Sequence, residues 1–393
     1  MDITIHPGKL SGTVEAIPSK SMAHRLLICA AFADLPTTLI CRESSEDIEA
    51  TVNCLKSLGT KIIHTNEGFL IHPIRQIPQR ATLHCGESGS TLRFLLPIAG
   101  ALGIETIFHM EGRLPQRPLS PLWEEMERMG CTLRRLSPDT LLCSGKLRPG
   151  RYRIAGNVSS QFISGLLFAL SLMDADSCIE ITGKLESEPY VKMTQWALRQ
   201  FTVISDDYTV KGNQRFRSLG ILEVEGDWSN GSFWLAANSL GSNLSVANLN
   251  TNSLQGDRAV VACLNNLNTF CTLSARDIPD LIPVLSIVAA ANQGAVFTDI
   301  QRLRLKESDR VDAILHMIHS LGGQAEATED SLHIFGTGLT GGVVDSMGDH
   351  RIAMAAGIAS TVCTESVTIL GAEAVNKSYP NFWTEFARLG GKL

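Results

Sequence analysis

A chain of 393 residues exceeds the size at which one hydrophobic core stops growing, so two domains are expected. With 44% apolar residues, 19% charged residues and a formal net charge of −6, it reads as an ordinary globular protein, and the acidic balance speaks against nucleic acid or an anionic membrane as partner. Any anion must be caught by local clusters of cations.

The opening "MDITIHPGKLSG" has neither the basic-then-apolar order of a secretory signal nor the Arg- and Ser-rich character of a transit peptide, so a cytoplasmic location is expected. Next comes "IPSKSMAHR" (17–25), which packs two cations and two hydroxyls behind a proline. Lys20 and Arg25 are five residues apart, so on a helix they point to different faces. "GESGSTLR" (86–93) has the glycine and hydroxyl pattern of a helix start that offers backbone N–H groups to an anion. In "PQRPL" (115–119) two prolines restrict the backbone around Arg117, which favours bidentate recognition. "NVSSQF" (157–162) reads as an N-cap followed by a buried helix, and "ESEPY" (186–190), "IPD" (278–280), "LKESDR" (305–310), "GDHR" (348–351) and "NKSYP" (376–380) complete the clusters. The alternating signs in "LKESDR" read by themselves as a solvated surface, and "GDHR" as a turn. "FISGLLFALSLM" and "LIPVLSIVAAA" are too short or too interrupted to span a bilayer and read as buried helices.

One unit recurs. An amphipathic helical stretch ends in an apolar residue, often followed by glycine, and an alternating segment with a polar turn follows. The helix ends fall at Leu58, Met129, Phe201, Leu267, Leu321 and Leu389, spaced 54 to 72 residues apart. Phe201 and Leu267 lack the following glycine and are the weaker copies. Units of this length are small α/β subdomains, and six of them divide into two groups of three.

The ten cysteines show no C-x-x-C pair and no zinc spacing, so they read as small core hydrophobes in a reducing compartment, with no metal. There is no Walker-A loop, no G-x-G-x-x-G opening a strand–helix unit and no G-x-S-x-G elbow. A set of Lys- and Arg-bearing loops spread over all repeats remains, which suits a ligand with several negative charges held between two domains.

In this order the clusters resemble the 5-enolpyruvylshikimate-3-phosphate synthase family of enolpyruvyl transferases. The resemblance spans the full length: "PSKSMAHR", "GESGSTLR", "RPL", "SSQF", "SEPY", "VEGDWSNGSFWLAA", "NSLQGD", "IPD", "LKESDR", "DHRIAM" and "KSYPNF" fall where that family has its motifs. It implies a two-domain inverse α/β barrel, each domain made of three βαβαββ repeats, with the active site in the interdomain cleft. Residues 19–225 would form one domain, mainly on the shikimate 3-phosphate side, and 1–18 with 226–393 the other, mainly on the phosphoenolpyruvate and acid/base side. It implies enolpyruvyl transfer from phosphoenolpyruvate to the 5-hydroxyl of shikimate 3-phosphate, with no cofactor, in the shikimate pathway to chorismate and aromatic amino acids. A monomer binding only these small molecules is expected.

Carried over by position, Asp280, Glu307 and Lys20 would be catalytic, with Asp280 as proton acceptor and Glu307 as the second acid/base carboxylate. Lys20, Ser21, Arg25, Ser159, Ser160, Gln161, Ser187, Asp280 and Lys306 would bind shikimate 3-phosphate. Lys20, Gly89, Arg117, Gln161, Arg310, Arg351 and Lys377 would bind phosphoenolpyruvate. Each phosphate ester carries about −1.5 to −2 near neutral pH, so five or six cations match the load. Two departures stand out: Arg302 occupies a position where some members have asparagine, so no contact is assigned to it, and Glu87 replaces an asparagine beside the proposed anion site. Gly89 lacks the methyl of some glyphosate-tolerant members, which implies inhibition by glyphosate. The sister family acting on UDP-N-acetylglucosamine usually carries a loop cysteine that "EGRLPQRPLSPL" lacks. A non-catalytic anion-binding scaffold is the alternative of a different class.

Overall fold

The computed structural model describes residues 1–203 and 207–393. The chain divides into two compact units, Pro18–Val224 and a second formed by Met1–Ile17 with Glu225–Leu393. Each is organised around its own buried apolar cluster.

Among the described residues, Pro18–Val224 contains three sheets of one design. Each begins with a parallel pair and continues antiparallel. Ile221–Glu223 runs parallel to Thr37–Ile40, which pairs antiparallel with Gly68–His72 and through it with Lys61–Thr65. Arg80–His84, Glu105–His109, Thr140–Gly145 and Cys131–Ser137 repeat the order. Arg151–Ala155, Ser177–Thr182 and Thr209–Val210 repeat it again with one strand fewer among the described residues. The second unit repeats the design in Cys271–Ser274, Gly294–Thr298, Ser331–Phe335 and Gln324–Ala327. Gly342–Asp345, Val367–Leu370 and Ile3–Ile5 follow it in three strands, and Ser11–Glu15 with Asn243–Ala247 supplies only the parallel pair.

Parallel neighbours cannot be joined by a tight turn, so a crossover helix is required. Here it is a buried one. Gly89–Leu102 and Ser160–Ser171 cross between parallel strands in the first unit, and Lys20–Ala31 leads into Thr37–Ile40. Ile282–Ala291 and His350–Ala359 do the same in the second, and Trp228–Ser239 leads into Asn243–Ala247. They are buried nearly all round: Ile282–Ala291 at nine of its ten residues, and Lys20–Ala31, despite the polar residues of its first turns, at ten of twelve. Both stretches expected to be buried helices are these crossovers.

The amphipathic helices lie outside them. All six expected helix ends, Leu58, Met129, Phe201, Leu267, Leu321 and Leu389, are the final or capping residue of a helix. Strand hairpins follow Leu58, Met129 and Leu321. The copy ending at Leu267 departs from the expected unit. Its next strand, Cys271–Ser274, already belongs to the following parallel pair, because this copy is the shortest and has no chain left for a hairpin.

The helices Gly89–Leu102 and Ser160–Ser171 pack against each other at Gly165. A Cβ there would meet the Arg93 carbonyl oxygen and come within 2.9 Å of Pro97 Cγ, so the two backbones approach as only glycine allows. Gly165→Ala is expected to destabilise the unit by about 1–3 kcal/mol through overpacking. A fall in the urea midpoint with an unchanged circular dichroism spectrum is the result to look for.

Candidate active site

In Pro18–Val224 the candidate residues gather at helix starts. Lys20 opens Lys20–Ala31 behind the Ser19 cap, and its ammonium is 2.7 Å from Asp47 Oδ2, both side chains largely buried. Ser21 follows it, and its backbone carbonyl accepts from Arg25 Nη1 at 2.6 Å. Arg25 itself is 1% exposed. Its Nε donates to Thr194 Oγ1 at 2.8 Å and its Nη2 to the Tyr190 carbonyl at 2.9 Å, while its plane faces the Phe94 ring. Burial among these neutral acceptors pushes its pKa down to about 10. Arg25 thus ties Lys20–Ala31 to the helix Glu188–Phe201, whose preceding residue, Ser187, is buried at φ 54°.

Gly89 is the first residue of its helix, capped by Ser88. A Cβ at Gly89 would lie 2.9 Å from Arg117 Nη1 and 3.1 Å from Arg93 Nη1, so two guanidinium groups face this backbone. Arg93 donates from Nη1 to Gln161 Oε1 at 2.7 Å and from Nη2 to the Pro118 carbonyl at 3.0 Å, and Gln161 Nε2 reaches Ser90 Oγ at 3.0 Å. Gly89, Gln161 and the Arg117 loop are therefore joined through Arg93. No role was expected for that residue, although its place one helical turn after Gly89 puts the two on one face. Ser159 caps Ser160–Ser171 by accepting from Gln161 N, and Ser160 is buried beside it. Beneath, a hydroxyl chain locks three helices: Thr51 bonds His24 Nδ1 at 2.7 Å and Thr91 Oγ1 at 2.6 Å, and Thr91 donates to Ser88 Oγ at 2.8 Å. Burial drops the His24 pKa to about 3, so this ring is neutral.

In the second unit the candidates form a compact charge cluster. Arg310, 1% exposed, donates from Nη1 to Asp280 Oδ1 and from Nη2 to Glu307 Oε2, both at 2.6 Å, and from Nε to Asp349 Oδ2 at 2.8 Å. Lys306 Nζ is 3.5 Å from Asp280 Oδ1, and Arg351 Nη2 is 3.5 Å from Asp280 Oδ2. "LKESDR" is therefore not a solvated surface; its signs alternate because Glu307, three residues before Arg310, turns back onto it. "GDHR" is likewise not a mere turn but the capped start of His350–Ala359. Burial alone would raise the Asp280 pKa, but Arg351, Lys306 and Arg310 together hold it well below the usual carboxylate range. Lys377, 5% exposed, closes the short helix Ala372–Lys377, which packs on His350–Ala359. Arg302 lies on the short helix before Lys306. Glu87 packs onto Gly112 in the first unit.

Two further carboxylates join the cluster. Asp349 carries no exposed surface and sits in "DHRIAM"; Asp257 ends "NSLQGD". Burial, and then repulsion from Asp280, raise the Asp257 pKa to about 6. Both stand in motifs visible in the sequence, but their partners lie tens of residues away.

A sequence model described as EPSP synthase (3-phosphoshikimate 1-carboxyvinyltransferase) matches residues 5–277 and 268–386. The chain is 41% identical over 417 residues to the 3-phosphoshikimate 1-carboxyvinyltransferase of Clostridium kluyveri, covering 100% of this chain and 98% of that one. Against the enzyme of the same name from Clostridioides difficile it is 39% identical over 429 residues, with 100% and 98% covered. An EPSP synthase structure from Acinetobacter baumannii aligns with a TM-score of 0.80 at 22% identity, over 99% of this chain and 98% of that one. At that identity the likeness speaks for the fold, which is the expected one.

Burial lowers the Lys306 pKa from 10.5 to about 8, against the pull of Asp280. The unfolded chain keeps the higher value, so it binds more protons than the folded protein between about pH 8 and 10.5, and stability from this group rises with pH there. Relative to Lys306→Met, the wild-type unfolding free energy is expected to gain up to about 3 kcal/mol across that window. Urea unfolding of both proteins at the two pH values checks the sign.

Proposed function

The chain belongs to the EPSP synthase family, and from that membership we infer that it transfers the enolpyruvyl group of phosphoenolpyruvate to the 5-hydroxyl of shikimate 3-phosphate, releasing phosphate. It is a transferase of the shikimate pathway. The acceptor hydroxyl loses its proton as its oxygen bonds to C2 of phosphoenolpyruvate, and the C3 methylene gains one. The tetrahedral intermediate then gives up a C3 proton while its C–O bond to phosphate breaks.

Asp280 takes the hydroxyl proton in this reading; its depressed pKa keeps it ionised, as a base must be. Glu307 gives the proton to C3 and takes it back, with Lys20 touching both substrates. Ser21, Arg25, Ser159, Ser160, Gln161, Ser187 and Lys306 hold shikimate 3-phosphate. Gly89, Arg117, Gln161, Arg310, Arg351 and Lys377 hold phosphoenolpyruvate. One observation carries the acid/base part. Asp280 and Glu307 reach neighbouring nitrogens of the same buried guanidinium, with an ammonium 3.5 Å from Asp280. Two carboxylates in unlike surroundings are what successive proton transfers need. A phosphate dianion arriving at Arg310 competes with both and frees them.

Purified protein given both substrates is expected to release phosphate stoichiometrically with product, and UDP-N-acetylglucosamine is expected to give none. Asp280→Asn and Glu307→Gln should each lower turnover by about 10²–10⁴-fold while shikimate 3-phosphate still binds in calorimetry. Unchanged turnover in both variants would refute the acid/base roles. Gly89→Ala places a methyl against Arg117 and should raise the KM for phosphoenolpyruvate and the half-inhibiting glyphosate concentration together, by roughly tenfold or more. Steady-state kinetics with and without glyphosate test that pairing.

A further inference from the structure

We propose that Asp349 is a positioning residue for this transfer, acting through Arg310 and Arg351; the proposal rests on the reading of the site given above. Its two oxygens divide the work. Oδ1 accepts from the Arg351 backbone N–H at 3.0 Å and caps the helix His350–Ala359. Oδ2 accepts from Arg310 Nε at 2.8 Å and from Ser308 Oγ at 3.0 Å. One solvent-excluded carboxylate therefore fixes both arginines, one by its backbone and the other by its side chain.

The consequence follows from guanidinium geometry. Arginine prefers to meet a carboxylate with two parallel N–H bonds. Arg310 does not: each of its three nitrogens serves a different carboxylate, so it holds Asp280 and Glu307 by one nitrogen each. The Nε bond to Asp349 fixes the guanidinium plane, so its Nη1/Nη2 end stays split between Asp280 and Glu307 instead of turning to clasp one of them in a bidentate pair. Two of its five N–H donors stay available for a phosphate or carboxylate ligand. Were the tether lost, the fork would rotate onto Asp280 or Glu307, and incoming substrate would have to break a double contact.

The test compares wild type, Asp349→Asn, Arg310→Lys and the double variant. Asparagine caps helices as well as aspartate but cannot accept on both sides at once. Lysine has no Nε–H in the guanidinium plane, so the tether is already absent in Arg310→Lys. Asp349→Asn is expected to raise the KM for phosphoenolpyruvate at least about tenfold, to change the KM for shikimate 3-phosphate less than about threefold, and to add less than about threefold in the Arg310→Lys background. Equal shifts in both KM values, or effects of the two substitutions that multiply, would overturn the proposal. Should Asp349→Asn fail to fold, Ser308→Ala, which loosens the same oxygen, must raise the KM for phosphoenolpyruvate in wild type and not in Arg310→Lys; no rise overturns it equally. A wild-type protein that releases no phosphate would instead sink the enolpyruvyl-transfer reading.

Discussion

A guanidinium group with 1% of its surface exposed must have its N–H donors satisfied, and the second unit meets that demand at Arg310 with carboxylates. Asp280, Glu307 and Asp349 come from three different stretches of chain, and all three end on this side chain. Removing one partner of a buried pair typically costs about 3–5 kcal/mol, so the segments before Ile282–Ala291, Arg310–Ser320 and His350–Ala359 are locked together by charge as much as by packing. Three cations, Lys306, Arg310 and Arg351, face Asp280, Glu307 and Asp349, with Asp257 a fourth buried carboxylate beside them. In the proposed mechanism the acid/base pair is thus held in place, and an anionic ligand enters by exchange of partners.

A second regularity concerns helix starts. None of the six buried crossover helices has an acidic residue in its first turn. Most outer helices do, for example Glu46, Asp47 and Glu49, or Glu124 and Glu125. Acids are normally favoured at that position because they complement the helix dipole. Their absence leaves the positive ends of the three serine-capped helices, Lys20–Ala31, Gly89–Leu102 and Ser160–Ser171, uncancelled, whereas aspartate caps face those of Trp228–Ser239 and His350–Ala359. The candidate residues sit at these ends: Lys20 and Ser21, Gly89, Ser159 to Gln161, and Arg351.

Much of this could be read directly along the chain, because the relevant signals are local. The ends of the outer helices, the hairpins after Leu58 and Met129, and the apolar crossovers depend on periodicity and a terminal glycine. Long-range partners do not leave such marks. "LKESDR" looks like a solvated run because its partners Asp280 and Asp349 lie 30 and 39 residues away from Arg310. Arg93 looks like any helical arginine until Ser160–Ser171 packs alongside and brings Gln161 to it, 68 residues on. The family resemblance supplied roles for Asp280 and Glu307 that spacing alone could not, yet it passed over Asp349, whose importance is a matter of what it touches.

The two fully buried arginines show how the units differ in electrostatic strategy. Arg25 donates to two carbonyls and a hydroxyl, none of them charged, and burial lowers its pKa. Arg310 has three carboxylates, and although burial opposes it, their pull raises its pKa well above the ordinary value. The charge of Arg25 is thus left to attract an anion, whereas that of Arg310 is already neutralised. The caps follow the same division: serine at 19, 88 and 159 in the first unit, aspartate at 227 and 349 in the second. Neutral caps and an uncompensated guanidinium favour capture of a phosphate ester. Charged caps and paired carboxylates favour moving protons, at the expense of raw attraction. A reaction that must both hold two phosphates and shuttle protons needs both kinds of surroundings, and a single electrostatic environment would serve one task by spoiling the other.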